Sequence, residues 1–328
     1  MSFSHASRGG ALDLRAVEHV RVEPGMSVGS LLAQMERSGV LGAGKLGKAA
    51  SIVAKMFSDP GCSVFLSLAG ALVPGGLRLV IRDLVEEGFL SALVTTGANV
   101  VHDILEALGF RHYVGSFRAD DARLREERLG RIGDIYVEMD AYVALERWLR
   151  QAVREIPRPV RSRISGARLL KELGLRLDDE DSIVATAARH DVPIICPGLV
   201  DSVAGFQLWS LSAELGLRLD PFGDLSELVD RILDAERVGL IVLGGGMPKH
   251  FLMFATTFRD GADYAIQITT DRPEPGGLSG APLEEAISWG KIRPGADVVT
   301  VICDATIAFP LIVAAALERA GPRRRKAD

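Results

Sequence analysis

The chain is predicted to be an α/β protein: a doubly wound, mostly parallel sheet of Rossmann-like type with an N-terminal helical addition. Three observations predict this. Short apolar runs bounded by Gly or Pro recur along the chain, as strands buried on both faces require. Amphipathic stretches of helical period separate them, which is the alternation of parallel βαβ units. No linker-like segment, internal repeat or low-complexity stretch breaks the pattern. The expected organisation is a polar, mobile arm over residues 1–25, a single domain over 26–320, and a basic tail over 321–328.

Taken in order, Ser27 is placed to cap a helix running through Arg37, with Leu31, Leu32 and Met35 on one face. A second helix is expected over Ala43–Phe57, ended by Asp59-Pro60-Gly61. Strands follow at Ser63–Leu68 and Ala92–Thr95, with helices at Pro74–Glu87 and Asn99–Leu108. Tyr142–Glu155 reads as an amphipathic helix ended by Pro157 and Pro159, and residues 160–190 read as helical again. Val192–Cys196 is a strand, followed by helices at Val203–Glu214 and Leu225–Glu236. Val238–Leu243, Tyr264–Thr269 and Val298–Cys303 are strands. Gly244-Gly245-Gly246 opens a helix near Lys249, and the last helix spans Ala305–Arg319.

At 328 residues the chain can bury a full core, and 48% hydrophobic with 25% charged residues is a globular composition. A net charge of −5 gives no global basic field for nucleic acid or anionic lipid. The one basic run, Arg323-Arg324-Arg325-Lys326, reads as a solvated tail. Cys62, Cys196 and Cys303 are odd in number, far apart and without metal-ligand spacing. Reduced, buried thiols in a cytoplasmic protein are expected, with no metal. No apolar run is long enough for a membrane span.

Ligands of such sheets bind at the carboxyl ends of the strands. Thr95-Thr96, with His102 a turn later, follow one strand; Asp201 follows another. The triple glycine with His250 follows a third, and Asp304-Ala305 a fourth. Glycines at a strand end let backbone N–H groups approach a diphosphate, although neither this turn nor the first βα turn is a GxGxxG fingerprint. Asp304 suits a ribose hydroxyl or the N-cap of the last helix, and both roles are compatible. His102 suits a satisfied, partly buried position. His250 is placed to exchange a proton or accept a hydrogen bond from an amine. The absence of GxSxG and of a P-loop speaks against hydrolase and kinase chemistry.

The stretch GGLSGAPLEEAISWGK (Gly276–Lys291) begins as a glycine loop and continues as a short helix ending at Gly290. It sets Glu285, Trp289 and Lys291 within seven residues. A carboxylate, an indole face and an amine so arranged suit a cationic substrate and a nucleophilic lysine. The same stretch also suits a surface helix with an amphipathic Trp and a solvated Lys.

Together these segments resemble the deoxyhypusine synthase family. GLIVLGGGMPKH (Gly239–His250), DGADYAIQITT (Asp260–Thr270) and SGAPLEEAISWGKI (Ser279–Ile292) carry the resemblance. LVTTGANVVHD, GRIGD, VPIICPGLVDSVAG and CDATIAFPLIVAA support it in order from about Cys62 onward, with a look closer to archaeal than to eukaryotic members. The resemblance implies an NAD-dependent transferase in a single NAD-binding domain. The aminobutyl group of spermidine would be held as an imine on Lys291, with release of diaminopropane. It would then pass to a lysine of the precursor of the hypusine-containing translation initiation factor. Lys291 matches the imine-forming lysine, which must present a free amine. Glu285 and Trp289 match polyamine-holding residues, His250 matches a substrate-site histidine with a catalytic role, and Gly276 falls in the same substrate-binding set. Thr95, Thr96, Asp201, Gly245, Gly246, Thr270, Asp304 and Ala305 match positions around the NAD. A homotetramer built from tight dimers, with sites at the dimer interface, is implied.

The chain departs from the eukaryotic pattern at five positions. His102, Phe206 and Leu278 stand where acidic residues are found there, and Gly70-Ala71 replace a Ser-Asn pair. Fewer carboxylates therefore face the amine. This motivates two other readings: an aminobutyl transferase for a small amine (homospermidine-forming or agmatine-using), or a non-catalytic paralogue.

Overall fold

The computed structural model describes residues 15–321. Residues 1–14 of the expected arm and 322–328 of the expected tail, including the Arg323–Lys326 run, lie outside it. Residues 15–25 form no helix or strand. The Gln34 side chain pins them, accepting from Arg21 N at 2.8 Å and donating to the Arg21 carbonyl at 3.0 Å.

Two helices, α1 (Val28–Ser38) and α2 (Leu41–Ser58), precede the sheet, and Ser27 Oγ caps α1 by accepting from Ser30 N. Then come β1 (Cys62–Leu68), α3 (Arg78–Glu86), β2 (Ala92–Thr95), α4 (Gly97–Ala107), β3 (His112–Val114) and α5 (Asp121–Glu126). β4 (Leu129–Ile132), β5 (Ile135–Glu138), α6 (Met139–Glu155), α7 (Arg158–Arg161), α8 (Gly166–Gly174) and α9 (Ile183–Arg189) follow. The chain continues through β6 (Ile194–Ile195), α10 (Val203–Leu215), α11 (Pro221–Leu233), β7 (Arg237–Leu243) and α12 (Gly246–Ala255). It closes with β8 (Ala262–Thr269), β9 (Ile292–Ile302) and α13 (Ala305–Ala320).

The main sheet has six strands in the order β6-β2-β1-β7-β8-β9, and every neighbouring pair is parallel. Chain order therefore runs outward in both directions from β1 and β7, which is the doubly wound arrangement expected. The switch point lies between those two strands. Register lines up the carboxyl ends: Leu68 sits opposite both Thr95 and Leu243, Leu243 opposite Ile268, and Ile268 opposite Val301. Everything that follows these strands thus opens onto one edge.

Side chains alternate between the two faces of the sheet, as the period of a strand demands. Val64, Leu66 and Leu68 of β1 join the larger core, which includes Ile52 and Met56 of α2 and Phe309 and Ile312 of α13. Phe65 of β1 and Leu240 of β7 join a smaller core with Leu228 and Ile232 of α11 and Leu252 of α12. The helical addition α1–α2 packs on α13 and the β8–β9 side.

Several local expectations differ: the strand expected over Val192–Cys196 shortens to β6, the one expected over Val298–Cys303 begins earlier as β9, and α5 was not expected. The helix expected over Pro74–Glu87 begins as one wide turn, Val73–Leu77, with Gly76 at φ 94°, before the regular α3. Residues 160–190 form separate helices, because Ser165 and Ser182 each restart the chain as N-caps, accepting from Arg168 N and Ala185 N. A small antiparallel sheet, β3-β5-β4, was not anticipated. Its strands are only three or four residues long and mostly half-buried, too short for periodicity to register.

Candidate active site

Lys291 is positioned from both sides. After a short turn of 3₁₀ helix at Leu283–Ile287, Gly290 takes φ 67°, a conformation that a Cβ resists. This swings the chain into β9. Lys291 N donates to the Ala286 carbonyl at 3.0 Å. The Lys291 carbonyl accepts from Ala262 N at 3.1 Å and from Thr256 Oγ1 at 2.6 Å. With the backbone held, the side chain reaches a cavity of about 340 Å³ lined by His250, Phe254, Leu278, Glu285, Trp289 and Lys291. Lys291 Nζ lies 5.7 Å from the centre of the Trp289 ring, within cation–π range. His250 stacks on Phe254, with ring centres 5.9 Å apart and planes 9° from parallel. Among the described residues neither Glu285 nor Lys291 takes part in a salt bridge, so both charges are available to a ligand.

A second hollow, about 360 Å³, lies at the switch point. It is lined by Gly70 after β1, Gly244–Gly246 after β7, Thr270 and Asp271 after β8, and Asp304 and Ala305 after β9. Gly244 has φ 77° and Gly246 φ 61°, and α12 points its N-terminus here. Asp304 Oδ1 caps α13, accepting from Thr306 N and Thr306 Oγ1 at 2.8 Å each, which leaves Oδ2 for a ligand hydroxyl. The crevice suits a dinucleotide: glycine backbone and a helix N-terminus for a diphosphate, a carboxylate for a ribose. Gly245, Gly246, Thr270, Asp304 and Ala305 all line this crevice.

Thr95, Thr96 and Asp201 lie at neighbouring strand ends, outside the lining of this crevice. Thr95 Oγ1 donates to the Leu68 carbonyl at 3.0 Å, Thr96 caps α4, and Asp201 is exposed on the loop before α10. Gly276, at φ 71°, sits on an exposed loop and lines neither hollow. Of the five departures, Leu278 lines the lysine pocket and Gly70 the crevice. Ala71 lies in the turn after β1, its carbonyl accepting from Gly75 N. Phe206 is exposed on α10. His102 is buried, its Nδ1 2.8 Å from His112 Nε2, and His112 Nδ1 is 2.7 Å from Glu106 Oε1.

Sequence reasoning assigned no role to Lys249, Gln267 or Ser279. Lys249 Nζ donates to Gln267 Oε1 at 2.9 Å, to the Leu278 carbonyl at 3.0 Å and to the Ala281 carbonyl at 2.7 Å. Burial pushes its pKa down to about 8, Glu285 opposing the fall and Lys291 adding to it. The available signal was a polar Gln inside the apolar run YAIQITT, since buried polar residues in strands need partners.

A larger hollow, about 600 Å³, lies in the other half of the molecule against α3 and α4. Its Arg78, Glu106, His112 and Asp179 are paired with one another or with Asp103. It therefore resembles a structural cleft more than a reactive one.

The fold and site define a doubly wound α/β protein with a lysine pocket beside a dinucleotide-type crevice. The family model for deoxyhypusine synthase matches residues 30–316. A Methanothermobacter thermautotrophicus protein named "Probable deoxyhypusine synthase" is 46% identical over 301 residues, covering 92% of this chain and 97% of that one. A Methanosarcina acetivorans protein named "Probable deoxyhypusine synthase 1" is 42% identical, covering 94% and 96%. The crystal structure of a "putative deoxyhypusine synthase" from Entamoeba histolytica shares the fold, with a TM-score of 0.66 at 22% identity, covering 92% of this chain and 96% of that one. The chain belongs to the deoxyhypusine synthase family, whose activity is NAD-dependent aminobutyl transfer.

Proposed function

We propose that the protein transfers the aminobutyl group of spermidine, through an imine on Lys291, to a lysine of the precursor of the hypusine-containing translation initiation factor, with NAD as cofactor. The observation that carries this reading is the meeting of Lys291, Trp289, Glu285 and His250 in one pocket. When bound, NAD supplies reversible two-electron oxidation of the amine. Gly245, Gly246, Thr270 and Asp304 would hold it. Glu285 pairs an ammonium of the polyamine, and Trp289 covers its methylene chain. The Lys291 amine attacks the oxidised carbon, and the carbon–nitrogen bond to diaminopropane breaks as that amine leaves. The acceptor lysine then displaces Lys291 from the imine, which restores the free enzyme amine, and the hydride taken from spermidine returns to the carbon of the new imine, so that the product is a secondary amine and the cofactor would end oxidised as it began. His250 is placed to exchange protons with the arriving and departing amines.

A homotetramer built from dimers belongs to the same reading. Its support is the exposed apolar set Val203, Phe206 and Trp209 on α10 and Met247 and Phe254 on α12. A cytoplasmic setting is supported by three free thiols.

The test incubates the protein with NAD and spermidine, with and without the factor precursor. Expected are diaminopropane release, a mass gain on the factor and a borohydride-trapped adduct on Lys291. Absence of release and of trapping would overturn the catalytic reading and leave the non-catalytic paralogue. A second reading, transfer to a small free amine, is favoured by one observation: Glu285 is the only carboxylate lining the pocket among the described residues. A new free polyamine without factor labelling would select it.

A further inference from the structure

Consecutive residues of one loop wall both hollows: Leu278 lines the lysine pocket and Ser279 lines the crevice. This loop is held by a buried polar strut. Lys249, only 2% exposed, spends all three ammonium N–H groups, two on the Leu278 and Ala281 carbonyls and one on Gln267. Gln267, fully buried on β8, spends its Nε2 on the Ser279 carbonyl at 2.8 Å and on the Gly244 carbonyl at 3.1 Å. Ser279 Oγ in turn accepts from Gly246 N at 2.9 Å. The fit is tight: a Cβ on Gly245 would lie 2.4 Å from Ser279 Cα, and one on Gly280 would lie 1.9 Å from the Arg272 carbonyl. The loop thus cannot slide past the glycine turn while the strut is intact. Lys249 itself is close enough to Glu285 and Lys291 to feel both charges.

We propose that Lys249 and Gln267 are positioning residues that lock the 278–281 loop to the glycine turn after β7, so that occupancy of the crevice and of the lysine pocket are energetically coupled. The inference rests on the reading of the crevice as the NAD site and of the pocket as the amine site. A ligand that settles the Gly244–Gly246 turn settles Ser279 through the direct bond from Gly246 N and through the Gln267 Nε2 bridge, and with it Leu278, one residue away. Coupling of this kind is reciprocal, so the amine tightens the dinucleotide by the same factor.

NADH is the probe, because it cannot oxidise spermidine and the ternary complex is unreactive. Its Kd is measured by fluorescence with the full-length protein, with and without saturating spermidine. In the wild type, spermidine is expected to tighten NADH by about fivefold or more. In Lys249→Met and in Gln267→Glu the ratio is expected to fall toward one. Gln267→Glu keeps an acceptor for Lys249 and removes the donors to Gly244 and Ser279, so it decides the matter should Lys249→Met fail to fold. A thermal midpoint near wild type in that variant, with the ratio lost, separates positioning from simple destabilisation. A wild-type ratio of one, or an unchanged ratio in folded Gln267→Glu, would overturn the inference and leave the NAD reading standing. Failure of the wild type to bind NADH overturns the NAD reading, and the inference falls with it.

Discussion

The hollow beside β6, β2 and β1 and the lysine pocket beside β7, β8 and β9 differ in what becomes of the charges that line them. In the first half Arg78, Glu106, His112 and Asp179 of the hollow each have an ionic partner. Asp103, 1% exposed, accepts from Arg78 Nε, Ser182 Oγ, Ile183 N and Val184 N, so it caps α9 from a neighbouring helix. Arg78 also reaches Asp179 and Glu106. In the second half Lys291 and Glu285 face a cavity with no salt-bridge partner among the described residues. The two histidines that follow strand ends divide the same way: His102 is buried in a relay with His112, and His250 is exposed beside Lys291. The difference teaches that the charges proposed to react are those the fold leaves without an ionic partner. Saturation, not proximity to a strand end, separates structure from chemistry here.

That contrast can be broken most sharply at Lys291. On the proposed mechanism Lys291 is a covalent carrier with no substitute, so replacing it by alanine should lower turnover by about a thousandfold or more and leave the thermal midpoint almost unchanged. Diaminopropane release and differential scanning read the two quantities. The opposite outcome is expected in the first half. Asp103→Ala strands the Arg78 guanidinium and the α9 amides, and should remove about 3–5 kcal/mol of stability by chemical denaturation. Turnover of the molecules that remain folded should change little.

His102 sharpens the comparison through pH. Burial, with the His112 charge adding to it, lowers its pKa from 6.5 to about 4. Between those values the unfolded chain takes up a proton that the folded chain refuses. Its contribution is therefore complete above pH 6.5 and is lost as pH falls toward 4, by about 3 kcal/mol in all. Urea titrations at pH 7 and 4.5 should show this loss, and His102→Gln should reduce it. The smallest effect belongs to Glu285→Gln, which should raise the spermidine KM by about tenfold, near 1.4 kcal/mol, with the NADH Kd of the binary complex unchanged. A larger rise in stability cost than in KM would move Glu285 to the saturated class.

Much of this was legible along the chain. The strands bounded by Gly and Pro were found because apolar runs and breakers are local. Gly290 and Lys291 were found together because the turn and its cargo are adjacent. The β3-β5-β4 sheet escaped because pairing across Arg131–Tyr136 and Tyr113–Tyr136 stabilises segments too short to carry a period of their own. Lys249 escaped as well. Nothing in its near neighbours along the chain marks it, and only its three oxygen partners, 18 to 32 residues away, show it to be a buried strut.

The amino-acid sequence alone determined the βα alternation, the glycine turn after GLIVL and the Glu285–Trp289–Lys291 spacing, because each is a property of near neighbours in one chain segment. Tertiary structure alone decided that the strand order reverses between β1 and β7, which creates the crevice. It also decided which charges are spent inside the protein and which remain for a ligand. The physical reason is that hydrogen-bond satisfaction is settled by groups distant in sequence and near in space, and no local pattern records it.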